Sequence, residues 1–257
     1  MYITDSFRRY VDNFPTAFAF ALLLVFVVLF TQLEGAFISS GSIFLDYGLF
    51  KPGPVALVLL LLVSLAFLFF YSVLLTLMIF AIRRDLSRVR LHYYLSERIT
   101  KFSFKMFRFL ALFAIILILI AAVLTQIGVP ALLVGILLLA AAVAFLFVPQ
   151  SIVVDEESLR SSISSNFEFI RAHPGAVLRV LAAGFVIMLI LPLLEYLLDL
   201  LTLALNFAPL MGNFATLFIT FVFVMPYLEV LKTEFYMNKY ELVRRSHEKI
   251  EPPVMNK

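Results

Sequence analysis

The chain contains no cysteine, which excludes disulfides, thiolate nucleophiles and cysteine-ligated metal sites. It contains no tryptophan either, so aromatic anchoring at a membrane surface would rest on its 10 tyrosines. Charged residues are also scarce, at 14% of the chain, compared with about 25% in an average soluble protein. Hydrophobic residues make up 63%, more than a soluble core can bury, and the composition therefore predicts a membrane protein.

The apolar residues are concentrated in six long runs, and a membrane-crossing helix needs about 20 such residues. The runs are residues 14–33, 54–82, 107–127, 131–148, 177–201 and 214–231, followed by a polar cytoplasmic tail at 232–257. Helices are predicted because lipid cannot satisfy exposed backbone groups and a barrel would show short alternating strands. The predicted fold class is all-α, a single domain over residues 1–257 with six transmembrane helices and amphipathic helices at the cytoplasmic interface.

The basic residues are distributed unevenly about these runs. Of the 20 Lys and Arg residues, only Lys51 lies in a connection on the side opposite to the others. The positive-inside rule makes the basic side cytoplasmic, so both termini are predicted inside a plasma membrane that the chain crosses several times. The first run has no convincing cleavage site after it and is expected to stay as a helix.

The segment between the second and third runs, residues 96–109, is basic and amphipathic. Its bases recur every three or four residues and share one helical face: Arg98, Lys101, Lys105 and Arg108. An apolar stripe lies beside them, formed by Ile99, Phe102, Met106 and Phe109. Such a helix lies at the membrane interface, where each base contributes about 1 kcal/mol near an anionic surface. The pattern predicts contact with lipid headgroups or an acidic partner, although we favour the plainer interpretation that it anchors the third span.

A second cytoplasmic helix is predicted after the fourth run. Asp155 is expected to cap its N-terminus, and His173 lies where it ends. An apolar residue recurs every three or four positions from Leu159 to Ile170, which predicts a helix lying on the inner surface. The opposite face carries small polar residues, among them Ser161, Ser162, Ser165 and Asn166. These suit either phosphate binding or a close helix contact, and we favour the contact.

The fifth run carries two acids one helical turn apart, Glu195 and Asp199. A carboxylate at a helix centre costs about 2.5–3.5 kcal/mol on insertion scales, and an intramembrane acid is by default a candidate ion or proton site. Pro192 just before them would kink the helix and admit water. Both acids lie near the outer surface, however, and we favour a structural role. At the inner end of the sixth run, Glu229 and Lys232 have the spacing of a surface ion pair.

Four short motifs in the second half of the chain occur in a recurrent order. They are Phe147-Val148-Pro149, Val153-Val154-Asp155-Glu156, Met225-Pro226 and Thr233-Glu234-Phe235-Tyr236. In this order the chain resembles the membrane domain family associated with glycerophosphodiester phosphodiesterases and related six-span prokaryotic membrane proteins, best over spans four to six. The resemblance implies a six-helix bundle. It does not imply the phosphodiesterase activity, because the catalytic domain is missing from this sequence.

The sequence contains no recognisable catalytic motif. The three histidines, His92, His173 and His247, lack the spacing of a zinc site such as HExxH. A Walker loop and a readable serine–histidine pair are also missing. We therefore expect no catalytic residue, no metal and no cofactor, and we favour a non-enzyme while leaving the question open.

Two functions from different classes fit the sequence. The first is a non-enzymatic membrane protein whose cytoplasmic helices bind anionic lipid or a partner protein. The second is a small secondary transporter or permease that uses Glu195 and Asp199. Small residues at Gly135, Ala140–Ala142 and Ala182–Gly184 allow close helix packing in either case. The expected partners are membrane lipids and a cytoplasmic or membrane protein, with no nucleic acid, and the oligomeric state stays open.

Overall fold

The computed structural model describes residues 2–32, 36–45, 53–87, 95–204 and 211–248. Lys51, His92 and residues 249–257 of the predicted tail lie outside these ranges. The helices before the first long one are α1 (Tyr2–Asp12), α2 (Phe14–Phe18), a 3-10 turn (Ala19–Leu23) and α3 (Leu24–Phe30). After them come α4 (Pro54–Ser87), α5 (Leu95–Gln126), α6 (Ala131–Ala144), α7 (Val148–Val154), α8 (Leu159–Ala172) and α9 (Pro174–Ala204). The last are α10 (Met211–Ile219), a π-helical turn (Thr220–Val224) and α11 (Met225–Glu248).

Five helical segments are long and apolar enough to cross a membrane. They are Pro54–Leu86, Arg98–Gln126, Ala131–Val154, Pro174–Ala204 and Gly212–Lys239. A sixth candidate is the bent pair Asp5–Asp12 and Phe14–Phe30, whose two parts meet at 75°. The all-α prediction is confirmed at this level, and the described residues contain five candidate spans, or six if the bent pair counts as one.

A β-hairpin lies in the connection between the first and second apolar runs. Strands β1 (Ala36–Ser39) and β2 (Ser42–Leu45) pair antiparallel, with Ser39 opposite Ser42. The two turn residues both have positive φ angles, 50° at Ser40 and 70° at Gly41. Positive φ at both positions is the geometry of a tight two-residue hairpin turn, and it explains the glycine.

The sixth span contains an irregularity that the sequence did not reveal. Its helix widens into a π-helical turn between Thr220 and Val224 before α11 begins. The residue four positions after Val222 is Pro226, which has no N–H to donate to the Val222 carbonyl in the usual helical bond, and a buried carbonyl needs another donor. The Tyr10 hydroxyl donates to the Val222 carbonyl at 3.0 Å, so α1 supplies that donor.

The buried core lies toward the predicted inner ends of the spans. The short helix α7 is buried along its whole length, from Val148 to Val154, and packs against α4, α5, α8 and α11. The outer parts of the spans are instead exposed, as shown by Val55, Leu132 and Leu203, which are 81%, 75% and 71% exposed. Helices that are apolar on every face suit a lipid environment, and exposure on this scale therefore agrees with membrane spans.

Two of the small residues expected to bring helices together do not do so within this chain. A Cβ atom added at Gly135 or at Gly184 would meet no other atom of the described residues within 4 Å. The close packing predicted for these positions is therefore not made here, because both glycines present their α-carbons to open space.

Candidate functional site

The basic segment 96–109 forms the first part of α5, which continues without a break to Gln126. Its apolar stripe packs into the protein core. Phe102, Met106 and Phe109 are buried in the core, and the ring centroids of Phe102 and Phe80 lie 5.6 Å apart. The stripe turns inward because the core around α4 and α7 offers it apolar partners.

Two of the four bases on α5 are bound within the protein. The Arg98 guanidinium forms an ion pair with the carboxylate of Glu156. The Lys105 ammonium donates to the backbone carbonyl of Glu157 at 3.0 Å. These bases hold α5 against the turn that follows α7, and this role does not require a ligand.

The other two bases of α5 point outward. Lys101 and Arg108 are both exposed. The Arg108 guanidinium lies 5.6 Å from the ring centroid of Phe104, which is itself 49% exposed. An exposed aromatic ring with two cations beside it has the composition of a membrane-interface surface. We call Lys101, Phe104 and Arg108 the basic face of α5.

The turn between α7 and α8 differs from the sequence prediction. Asp155 does not cap α8, which begins at Leu159 with Ser158 as its N-cap, and the Ser158 hydroxyl accepts from the Ser161 amide at 3.3 Å. Asp155 instead lies at the C-terminal end of α7. The reason is a positive φ of 58° at Glu156, a left-handed conformation that interrupts the helix.

The three acids of this turn, residues 155–157, form what we call the acidic turn. Besides the arginine of α5, Glu156 binds Arg83 of α4 at 3.0 Å. Asp155 accepts from the Tyr236 hydroxyl and binds the Lys239 ammonium at 2.8 Å, both on α11. The acidic turn thus joins the inner ends of α4, α5 and α11.

The polar residues of α8 are divided between its buried and its exposed side. Asn166 is fully buried, accepts from the Phe147 amide at 2.9 Å, and donates to the Ala144 carbonyl at 2.8 Å. It thereby satisfies the backbone where the helix breaks between α6 and α7. Ser162 is also fully buried, Ser165 donates to a carboxylate of the acidic turn at 2.8 Å, and Ser161 is exposed. Asn166 and Ser165 therefore connect α8 to the α6–α7 junction and to the acidic turn.

The pair predicted at the surface of span six is formed but buried. Lys232 binds Glu229 at 2.5 Å, and the two side chains are only 11% and 6% exposed. Gln150 of α7 donates to Glu229 at 3.0 Å, while its own amide oxygen has no hydrogen-bond partner among the described residues. The pair is buried because α7 packs against α11 at this level.

The N-terminal helix makes contacts that the sequence analysis missed. Glu234 of α11 is buried, accepts from the Ser6 hydroxyl and lies 3.7 Å from the Arg9 guanidinium. Asn13 donates to Asp85 at the end of α4 at 2.6 Å. Residues 232–239, which the sequence assigned to a polar tail, therefore continue α11 inside the core rather than leaving it.

The two outer acids of α9 are both engaged with neighbouring elements. Glu195 accepts from the Ser39 hydroxyl at 3.2 Å and from the Ser40 amide, and it lies 3.1 Å from the Thr216 hydroxyl. These contacts attach the hairpin tip to α9 and α10. The hairpin tip therefore covers the Glu195 carboxylate.

Asp199 fixes the start of α10. Its carboxylate accepts from the Gly212 amide at 3.2 Å. A Cβ atom at Gly212 would lie 2.2 Å from that carboxylate oxygen, so only glycine leaves room for the contact. Both acids thus have structural partners, and α9 runs as one helix through Pro192.

Removing the Glu195 carboxylate is expected to release the hairpin. In Glu195→Ala, the Ser40 amide loses its acceptor, and we expect hydrogen exchange over residues 36–45 to rise by about tenfold, since a charge-assisted hydrogen bond contributes about 1.5–3 kcal/mol. Exchange measured by mass spectrometry in detergent checks this. Glu168→Ala removes an exposed acid on α8 and serves as the control. Equal exchange in both variants would contradict the role given to Glu195.

The fold and these contacts define a helical protein whose described residues include several helices long and apolar enough to cross a membrane. No family model, no curated protein and no solved structure matches the chain. The resemblance to the phosphodiesterase-associated membrane domain therefore stays a prediction. Among the described residues, no three His, Asp or Glu side chains come together as a metal-binding group.

Proposed function

We propose that this protein is a non-enzymatic, six-span protein of a plasma membrane whose inner face binds anionic lipid headgroups. The basic face of α5 is the contact surface, with Lys101 and Arg108 as the binding residues. Arg98 and Lys105, on the same helix, instead hold α5 against the acidic turn. Both termini are cytoplasmic in this proposal, because all Lys and Arg except Lys51 lie on one side of the apolar segments.

The proposal rests on the different contacts of the four bases of α5, since two are bound within the protein and two are exposed. If the bases served only to hold the fold, all four would be expected to contact acids or carbonyls of other helices, as Arg98 and Lys105 do. Lys101 and Arg108 are exposed instead, and they flank Phe104, an exposed aromatic ring. Two bases near an anionic surface contribute about 2 kcal/mol together, which corresponds to about a 30-fold preference for anionic lipid.

Transport through the outer acids has less support from the geometry. Glu195 lies under the hairpin tip and Asp199 binds the start of α10, so each carboxylate already has a partner that explains it. A coupling site would need these oxygens to bind and release an ion. A partner protein at the basic face of α5 would use the same residues, and the experiment below separates it from lipid.

The lipid proposal is testable because the chain has no tryptophan of its own. Phe104→Trp places a single tryptophan, which can be excited selectively over tyrosine, between Lys101 and Arg108. In bilayers that contain brominated phosphatidylglycerol, we expect stronger quenching than with brominated phosphatidylcholine. The relative affinity should fall by about fivefold for each base removed in Lys101→Gln and Arg108→Gln.

A matched control uses Leu133→Trp on α6, where the leucine is 50% exposed and the phenylalanine at 104 is 49% exposed. A tryptophan at 133 lies away from the basic face and should be quenched equally by both lipids. Equal quenching at 104 as well would refute lipid binding by α5 and leave a protein partner as the better account of its basic face.

A further inference from the structure

A groove runs between the first span and the inner part of α4. Its volume is about 390 Å³, within the range of small-ligand sites. Leu77, Phe80 and Ala81 line it on α4, and Pro15 and Ala19 line it on the first span. Thr16 also lines the first-span side, but the other five side chains are apolar, so a free inorganic anion gains little from most of the groove surface.

The groove has one cationic end. Arg84 lines it at the inner end of α4, and its side chain is 48% exposed. The neighbouring Arg83 turns the other way, to Glu156 in the core, so the two adjacent arginines serve different surfaces. An apolar channel with a guanidinium at one end matches a molecule with an anionic head and a hydrocarbon chain.

The acid next to Arg84 occupies only part of its guanidinium. One oxygen of Asp85 accepts from Nε and Nη2 of Arg84, both at 3.4 Å, in a half-exposed pair of the kind that contributes little to stability. The other oxygen of Asp85 accepts from Asn13 at 2.6 Å and so ties the end of α4 to the junction of α1 and α2. The Nη1 side of the guanidinium is left to meet a ligand at the end of the groove.

The spacing along α4 fits a phospholipid. Leu77 lies seven residues before Arg84, which is two helical turns or about 10 Å. A phosphate bound at Arg84 would therefore place the first methylene groups of an acyl chain over Ala81 and the following ones over Leu77. Arginine binds phosphate oxygens through two parallel hydrogen bonds, a geometry that a neutral annular lipid uses less well because its headgroup carries its own cation.

We infer that this groove is a binding site for one anionic phospholipid of the inner leaflet, with the phosphate on Arg84 and an acyl chain along Leu77 and Ala81. The inference rests on the proposed inner-face lipid binding but assigns it a second site, on a different helix from the basic face of α5. The bound lipid would fill the space between the first span and α4 and hold them together.

The test uses Leu77→Trp as the only tryptophan in the full-length protein, excited selectively over tyrosine, in bilayers of phosphatidylcholine with brominated phosphatidylglycerol. We expect at least fivefold stronger apparent binding of the anionic lipid than of brominated phosphatidylcholine. Arg84→Gln should remove that preference, whereas Arg160→Gln, an exposed arginine on α8, should leave it unchanged. Equal quenching by the two lipids, or a preference that survives Arg84→Gln, would overturn the inference.

A measurement without a tryptophan probe is needed as well, because the tryptophan of Leu77→Trp could itself fill the groove and displace the lipid. Native mass spectrometry of Lys101→Gln/Arg108→Gln, which removes the basic face of α5, should show one retained phosphatidylglycerol that is lost when Arg84→Gln or the groove-filling Ala81→Phe is added. Retention in both variants would overturn the site. A preference at Phe104→Trp without one at Leu77→Trp would leave the proposed function standing and remove the groove, and the reverse result would remove the basic face of α5 instead.

Discussion

Lys232→Met is expected to lower the free energy of unfolding by about 3–5 kcal/mol, because it leaves the Glu229 carboxylate buried without its cation. The two side chains are 11% and 6% exposed, and the nearest other donor, Gln150, supplies only a neutral hydrogen bond. Titration with a denaturing detergent, followed by circular dichroism, measures this free energy for an integral membrane protein.

The double variant Glu229→Gln/Lys232→Met provides the diagnostic comparison. It removes both charges, so most of the lost stability should return, since a buried pair replaced as a whole is often nearly neutral. Lys101→Met changes an exposed base by the same substitution and should stay within about 0.5 kcal/mol of the unaltered protein. If Lys232→Met also stays within that range, the pair is not buried as described.

Gly41→Ala is expected to displace the hairpin tip and to cost about 2–5 kcal/mol. Part of this is the left-handed φ of 70°, which costs a non-glycine residue about 1–2 kcal/mol. The rest is overpacking of about 1–3 kcal/mol. The new Cβ would lie 2.0 Å from the Thr220 hydroxyl and 3.0 Å from the Thr216 carbonyl. The same detergent titration measures the loss.

A second glycine separates the backbone cost from the overpacking cost. Gly128 has a φ of 80°, yet a Cβ atom there would meet no other atom of the described residues within 4 Å. Gly128→Ala should therefore show the backbone cost alone. Thr220→Ala added to Gly41→Ala should recover part of the overpacking, although the backbone carbonyl stays in place. A loss at Gly41 no larger than at Gly128 would contradict the docking of the hairpin tip.

Several features of the fold followed from residue pattern alone. Long apolar runs predicted helices long enough to cross a membrane because backbone groups in lipid must be satisfied within the segment, and α4, α5 and α9 confirm this. The predicted ends were less accurate at the inner side. The second run was expected to end at residue 82, but α4 continues to Ser87, since charged residues at the end of a helix do not stop it.

The inner polar contacts were largely beyond sequence reasoning. Lys232 was read as a surface residue because its neighbours along the chain are polar, and nothing local indicated that α7 would cover it. No sequence pattern indicated helix α7, which lies where the fourth apolar run meets the segment after it. Only seven residues long, it is too short to show a period that distinguishes a buried helix from the end of a span.

The partners of Glu195 and Asp199 could not be predicted from the sequence either. The positions of these acids in α9 indicated two interfacial carboxylates, and the structural role was favoured on depth alone. The partner of Glu195 is a backbone amide at Ser40, on a hairpin about 155 residues earlier in the chain. Backbone donors carry no residue signature, so no sequence pattern could have identified this one.

By itself, the sequence determined the class of protein: an all-helical chain with several apolar segments that lipid, rather than a soluble core, can accommodate. It did so because the cost of exposing apolar surface depends on composition and run length, which are local properties. Only the tertiary structure decided which Lys and Arg side chains of α5 bind acids or carbonyls within the protein and which are exposed to a ligand. That choice depends on which acids and carbonyls other helices bring within about 3 Å, and such distances arise only when segments far apart in the chain pack together.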